Sequence, residues 1–557
     1  MRSISDLAMA HMPEPWALRL AHWRSQPEAL VWQPAPVRQG DPALGRRLAA
    51  GLILFDGQLV ETDDAHPWDL IPPTPGWAEA LHGHGWLDDA LAADHGPTWG
   101  RLSDWVWHWL ERHEDNTGPA WRPDLVARRM VRWIACTIPL LRGQPAERSD
   151  ALFRALGAHL RFLAGRWTQT HPGGERIEAL AGLVYGTISL EGAGDRANRA
   201  IRDLAAEAEA TIGDDGAIAS RCPEELAKIV EHLGWIYVAL RDFGVEAGPG
   251  HAMALRRAVP VLRALMTQAG TLPRFHGGGD AAAADVPALL ERTPGPLAAT
   301  PNPAMGFIRL RSGDGEAVID AAATPTGPAA LTAHSSALGV AFGYAGQPII
   351  VSRGEATAFG EKAARLARRR ASHSSIEVAG ACPATLAASQ RGEALTCPGT
   401  VRGQAHSNET SAWALCESTE FETEFGPLLE RRLHLEAAGT VLWGEDTAVA
   451  TRAETRARVS QRCEETGDPC ALTLRFHLHP DIKATQTAQS RLIGLILPDG
   501  SRWSFRAEAE DLALAPTRYF DPARPRPRPA LQIVATSYLI DFWGRITWTL
   551  QKISDGN

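Results

Sequence analysis

The chain changes alphabet near residue 300, and that break limits the folds open to it. Of its 19 tryptophans, 14 lie at or before Trp235, in a stretch rich in Ala, Leu, Arg and Glu at helical spacing. Over 123–143, Pro123 suits a first helical position, Val126, Met130, Trp133, Ile134 and Ile138 share one face, and Gly143 can end the helix. Pro139 should kink or shorten the last turn. Similar segments at 150–163, 175–190, 198–212, 224–243 and 252–269 are joined by short Gly-, Pro- or Asp-rich connections, as in antiparallel helical hairpins. Trp105, Trp107 and Trp109 cannot all face one side of a helix, so at least one ring is expected at a groove or in solvent.

After the Pro-rich stretch RTPGPLAATPNP (292–303), short alternating runs take over, at 339–344, 348–351, 374–378, 472–479, 492–497 and 537–542. Turns such as Ala345-Gly346, Asp499-Gly500 and Asp314-Gly315 separate or flank them. The expected organisation is an arm or helix over 1–40, a helical domain over 41–300 and an antiparallel β domain over 301–557. The amphipathic pattern itself runs from about residue 40 to 295, and the alternation from about 305.

Composition excludes several function classes. With 45% hydrophobic and 22% charged residues the chain can bury a large core, which rules out a disordered or disulfide-stapled protein. A net charge of −9 gives no reason to expect a nucleic-acid partner. The seven cysteines are odd in number and form no C-x-x-C pair, which fits a reducing compartment. Pro, Glu and His interrupt every apolar run in the first 24 residues, so no signal peptide and no bilayer span is read. A cytoplasmic location is expected, with the periplasm as the alternative. Phosphate-loop, nucleophile-elbow, zincin and dinucleotide motifs are all missing, and Gly277–Gly279 reads as a turn.

Several segments carry a resemblance. GGERIEALAGLVYG (173–186), DDGAIASRCPEEL (214–226), AHSSALGVAFGYAGQPIIVSRGEA (333–356) and ASHSSIEV (371–378) together resemble the heparinase II/III-like polysaccharide lyases. LRFHLHP (474–480), WLDDALAADHG (86–96) and AWRPDLVARRMVRWI (120–134) are similar to a bacterial branch of that family. The resemblance implies an incomplete (α/α) toroid followed by an antiparallel β-sandwich. It also implies β-elimination next to a uronic acid, which needs a base for the C5 proton, a group that neutralises the carboxylate, and an acid for the leaving oxygen. The implied partner is an acidic oligosaccharide or polysaccharide, and the alternative reading is a catalytically altered glycan-binding or structural protein that retains the lyase fold.

Carried over residue by residue, the family pattern is altered. Where relatives read Asn-His-x-x-Glu, this chain has Gly174, Glu175 and Glu178; the usual tyrosine position holds Glu225. His-x-His-x-Asp becomes His334, Ser336 and Leu338; Val-Asp-x-Gly becomes Val351, Ser352, Arg353 and Gly354; Ala-His-Asn becomes Ser372, His373 and Ser374. The resemblance therefore implies Glu225 or His334 as base, with Tyr344 on the appropriate strand as a further catalytic candidate. Glu178, Arg221, Arg369 and Arg370 are the implied substrate contacts. His334 and His373, which in some relatives help to hold zinc, should face a shared region. With serine at 352 the ligand set is poor, so no cofactor is expected. His477 and His479 share a strand face and read as packed within the β domain.

Overall fold

The computed structural model describes residues 27–553 apart from 35, 37, 63–64, 94–95, 114–117, 280–298, 390, 409–410, 467–468 and 488–490. The expected arm over 1–40 thus lies outside the described residues up to 26.

Helices fill the first half: Pro42–Ala49, Pro75–His82, Leu87–Ala93, Pro97–His113, Pro123–Ala135, Thr137–Leu141, Ala146–Arg166, Gly174–Ser189, Ala197–Thr211, Pro223–Phe243 and Pro249–Leu265. Six of them open on proline, at the turn where a missing N–H costs nothing. Asp41 and Thr74 cap two of these by accepting from Ala43 N–H and Trp77 N–H. Helix Gly174–Ser189 packs against Pro123–Ala135, Ala197–Thr211 and Pro223–Phe243. Its contact with the first is close: a Cβ at Gly182 would stand 2.5 Å from Ala127 Cβ, so only glycine fits there.

The helix expected over 123–143 is two helices broken at Cys136. Pro139 has no N–H to give Ala135 O, and the side chain of Gln33 supplies that hydrogen bond instead at 2.9 Å. The break turns Ile138 outward, 61% exposed, while Val126, Met130, Trp133 and Ile134 stay fully buried. The N-terminal segment is anchored at the end of helix Gly174–Ser189 as well: Val31 N–H donates to Ser189 O and Glu191 N–H to Ala29 O. A two-stranded hairpin, Leu52–Phe55 with Gln58–Glu61, turns on Asp56-Gly57 within the helical half.

The three neighbouring tryptophans do not behave as expected, because helix Pro97–His113 is enclosed on several sides. Trp105, Trp107 and Trp109 are 2%, 4% and 0% exposed. Trp105 meets Trp86 edge-on, Trp107 lies under Arg148, and Trp109 contacts Trp121, Trp133 and His159. At the centre of this cluster is a fully buried cation, Arg129, 4.0 Å from the Trp109 ring. Its donors go to His159 Nε2, His82 O and Ala120 O, and among the described residues no carboxylate pairs with it.

The second half is a sandwich of two eight-stranded antiparallel sheets. One runs in spatial order Val401–Ser407, Ala412–Ser418, Leu428–Leu435, Val441–Val449, Trp543–Lys552, Arg502–Glu508, Leu492–Ile496, Lys483–Gln486. The other runs Asp511–Tyr519, Arg528–Tyr538, Ala471–Leu478, Gln347–Val351, Val340–Tyr344, Gly315–Asp320, Phe307–Ser312, with Ile376–Val378 also pairing to Ala471–Leu478. Strict alternation of burial along Val441–Val449 shows the one-faced strand pattern at work. Of the run expected as a strand at 537–542, Ser537 and Tyr538 end strand Arg528–Tyr538 and the rest is the turn that follows, with Asp541 and Phe542 both at positive φ. A helix, Ala453–Thr466, is inserted between strands of this half.

Candidate functional site

The two halves meet at a seam where loops from each side interleave. Two buried arginines fix the sandwich loops from behind. Arg370 donates to Ile376 O, Ala337 O and Glu420 Oε2; Arg431 donates to Leu338 O and Ser374 O and pairs with Asp446. The segments carrying His334 and His373 are thereby held by main-chain carbonyls that follow each histidine, at 337 and 338 and at 374 and 376.

Asp320, at the end of strand Gly315–Asp320, is the knot of the seam. Arg221 from the helical half pairs with its Oδ1, while Ser336 Oγ donates to Oδ2 at 2.6 Å and His276 Nε2 lies 3.3 Å from Oδ2. The tautomer of His276 follows from its partners. Its Nδ1 accepts from His334 N–H at 3.2 Å, so the proton sits on Nε2 and faces Asp320. Burial lowers the His276 pKa to about 4 against the pull of Asp320. Burial works against the Asp320 anion too, but Arg221, His276 and Ser336 hold its carboxyl well below the usual range. Arg221 sits at positive φ and gives its remaining donors to the carbonyls of Met305, Gly306, Ala322 and Ala323, with its guanidinium 4.8 Å from the Phe307 ring.

His334 and His373 stand with ring centroids 5.3 Å apart, both 1% exposed. Ser352 Oγ lies 3.0 Å from His373 Nδ1, and among the described residues His373 Nε2 and both His334 ring nitrogens lack hydrogen-bond partners. Glu355 Oε2 is 3.6 Å from His334 Nε2, longer than a hydrogen bond. Burial raises the Glu355 carboxyl, but His334 and the Thr357 donors bring it down to about 2. Burial, then His334, pushes the His373 imidazole well down. A metal does not fit this pair. The third ligand position is Ser352, spent on His373, and among the described residues no third His, Cys, Asp or Glu atom completes a set.

On the helical side Ser220 Oγ donates to Glu225 at 2.5 Å, and Gly174 lies against the same carboxylate. Deeper in the helical half, Arg128 makes a bidentate pair with Glu178, both bonds 2.7 Å, in a small recess shared with His232 and Trp235. Burial opposes the Glu178 anion, but Arg128 overrules it and the carboxyl settles at about 2; His232 is lowered to about 4 by burial. Trp235 is half-buried and meets His232 edge-on. A separate cavity of about 210 Å³, mostly apolar, lies between segment 267–274 and the strands bearing Phe342 and Ile350.

Residues 294–549 match the family described as heparinase II/III-like, C-terminal. The sandwich half thus carries the C-terminal domain of the heparinase II/III-like family. FtsZ-localized protein C of Caulobacter vibrioides is 27% identical over 99% of this chain and 96% of its own length. The crystal structure of heparinase III superposes with a TM-score of 0.68 at 12% identity, covering 97% of this chain and 90% of that one. A mutant of the heparan sulfate lyase HepC from Pedobacter heparinus gives 0.58 at 12% identity, over 98% and 88%. The helical half and the sandwich are therefore the toroid and β-sandwich of the heparinase fold.

Within this heparinase-like frame the residues singled out by sequence divide sharply. His334 and His373 come together; Glu225 is half-buried at the toroid side, bonded to Ser220. Arg369 is exposed. Four assignments need correction. Tyr344 points into the sandwich core, 5.2 Å from the Trp503 ring, because strand Val340–Tyr344 buries alternate residues on that face. Arg370 is 0% exposed and clamps loops, and Arg221 is committed to Asp320 and four carbonyls, so a substrate carboxylate would have to displace native partners from either. Glu178 likewise serves Arg128. His477 is packed as expected, with Nε2 2.9 Å from Ala371 O. Sequence reasoning missed His276, Asp320, Glu355 and the Arg128, His232, Trp235 recess. His276 directly precedes the glycine turn and Arg128 lies in a segment that carries the family resemblance, but neither has a local signal for its partner.

Proposed function

We propose that this protein uses the heparinase scaffold to hold a saccharide chain and does not cleave it by β-elimination. The observation that carries this reading is the satisfaction of the guanidinium groups at the seam: Arg221 and Arg370 spend their donors inside the protein, leaving neither to neutralise a uronate. Tyr344 is in the core, and His334 is shielded from solvent. Groups that remain suited to contact are the half-buried indole of Trp235, whose face can stack on a sugar ring, and the exposed Arg369. An acidic oligosaccharide is the proposed ligand, and a cytoplasmic location, checked by cell fractionation, goes with it.

The test combines calorimetric titration with a panel of polyuronate and neutral oligosaccharides and ultraviolet absorbance of the unsaturated uronate product. Binding without any rise in absorbance, weakened in W235A and R369A, is expected. A rise in absorbance that H334A abolishes would overturn the reading.

A second reading rests on the Caulobacter vibrioides relative, which is named for localisation with FtsZ and matches both domains of this chain. In it the scaffold associates with FtsZ assemblies. Co-sedimentation with FtsZ polymers tests this, and full recovery in the supernatant would reject it.

A further inference from the structure

A second group of chemistry-bearing side chains lies on the helical half, away from the seam. His66 precedes the short turn Pro67–Asp69, and Asp104 and His108 lie four residues apart on helix Pro97–His113. That spacing stacks the carboxylate and the imidazole on one helix face. Trp68, two residues after His66, donates its indole N–H to Trp105 O at 2.9 Å, so the turn is pinned to the same helix beside Asp104. The His66 ring lies over His108, with centroids 4.1 Å apart and planes 20° apart, and His108 Nε2 is 3.7 Å from Asp104 Oδ2.

We propose that His66, Asp104 and His108 form a binding site for a divalent transition metal, with zinc the natural occupant. One donor atom from each residue lies within 4.8 Å of the other two, a spread that small side-chain rotations close onto a single ion. Both ring nitrogens of His66 are hidden from solvent, yet among the described residues neither has a hydrogen-bond partner. Shielded polar atoms are normally paired, and a cation would satisfy one of these.

The donor set decides the metal. Two imidazoles and one carboxylate suit zinc, cobalt, nickel or copper, and they do not suit magnesium or calcium, which want oxygen ligands in greater number. Asp104 and His108 are each about half exposed, so water has access to the remaining coordination position.

The experiment uses the full chain, stripped with chelator and titrated with zinc by calorimetry and with cobalt by visible absorbance. One saturable equivalent is expected, with cobalt bands of nitrogen and oxygen ligation. H66A and H108A should each weaken zinc binding more than about tenfold, the loss seen even when a residue that merely orients a ligand is removed. His108 is half exposed, so H108A should melt with the wild type, which separates ligand loss from unfolding. The H334A/H373A double variant should bind zinc as the wild type does. The proposal falls if no saturable equivalent binds, if H108A binds as tightly as the wild type, or if the equivalent is lost in H334A/H373A.

Discussion

Replacing Arg221 by methionine separates a ligand contact from an interdomain clamp. Methionine keeps much of the side-chain volume and removes every donor. Asp320 would then keep Ser336 and His276 but lose its only arginine among the described residues, at 1% exposure. Removing one member of a buried ion pair costs about 3–5 kcal/mol. Four carbonyls also lose a donor, but Ala323 lies at a more exposed edge where water can replace it, so we keep the total near that range. The loss depends on pH with a definite sign. The Asp320 pKa is depressed in the native protein, so its contribution is full above the unfolded carboxyl range and fades as pH falls through it. The gap between R221M and wild type should therefore be widest at neutral pH and narrow below about pH 4. Urea unfolding followed by tryptophan fluorescence is the assay, since 12 of the 19 indoles lie among the described residues of the helical half. D320N should recover part of the loss in the R221M background, because it removes the stranded charge. An R221M protein that unfolds with the wild type while losing saccharide affinity would refute the clamp and restore the cleft role.

Acid should destabilise the whole chain as pH drops from about 6.5 toward 4: His232, His251 and His276, each lowered by burial to about 4, stay neutral in the fold while the unfolded chain takes up their protons. Urea midpoints at pH 7.5 and 5.5 check this, at roughly 1 kcal/mol per buried histidine, and equal midpoints would contradict it. R129A should cost about 3–5 kcal/mol by opening a cavity among Trp109, Trp121 and Trp133, with R129M milder because it refills the space; thermal melts read the difference. G182V should lose about 1–3 kcal/mol from the crossing of helices Gly174–Ser189 and Pro123–Ala135, measured by the same melts.

Local chemistry carried well from sequence to structure and long-range chemistry did not. Helices from 146 to 265 and the strands around 340–351 and 471–496 follow their periodicities to within a few residues, because one buried face dictates the pattern. Pro139 and the Ala345-Gly346 and Asp499-Gly500 turns act where they stand. The hairpin at 52–61 was equally legible from Asp56-Gly57 between alternating residues, and went unread in a helical context. Arginine roles were opaque for a physical reason. Arg369 and Arg370 are adjacent, one exposed and one at 0%, and only the packing of residues 337, 376 and 420 around the second decides which is which. His276 meets Asp320 from 44 positions away, so its sequence neighbourhood shows a turn and nothing of its partner.

On the binding reading proposed above, the absence of elimination chemistry and the rigidity of the seam have one cause. A lyase cleft needs donors with unsatisfied capacity, aimed at the substrate carboxylate as it takes up the charge of the C5 carbanion. In this chain Arg221, Arg368, Arg370 and Arg431 are instead turned to main-chain carbonyls of the loops that surround His334 and His373. Each such bond lowers the free energy of the empty protein, and a substrate that took the donor would have to return that stabilisation before gaining any of its own. Freeing one arginine does not reverse this, because the carbonyls and carboxylates it served are then stranded in a buried seam, with Asp320 and Asp446 as the costliest. Restoring a carboxylate-neutralising group therefore requires a donor from a new position, such as the exposed Arg369, rather than release of one that the fold already uses.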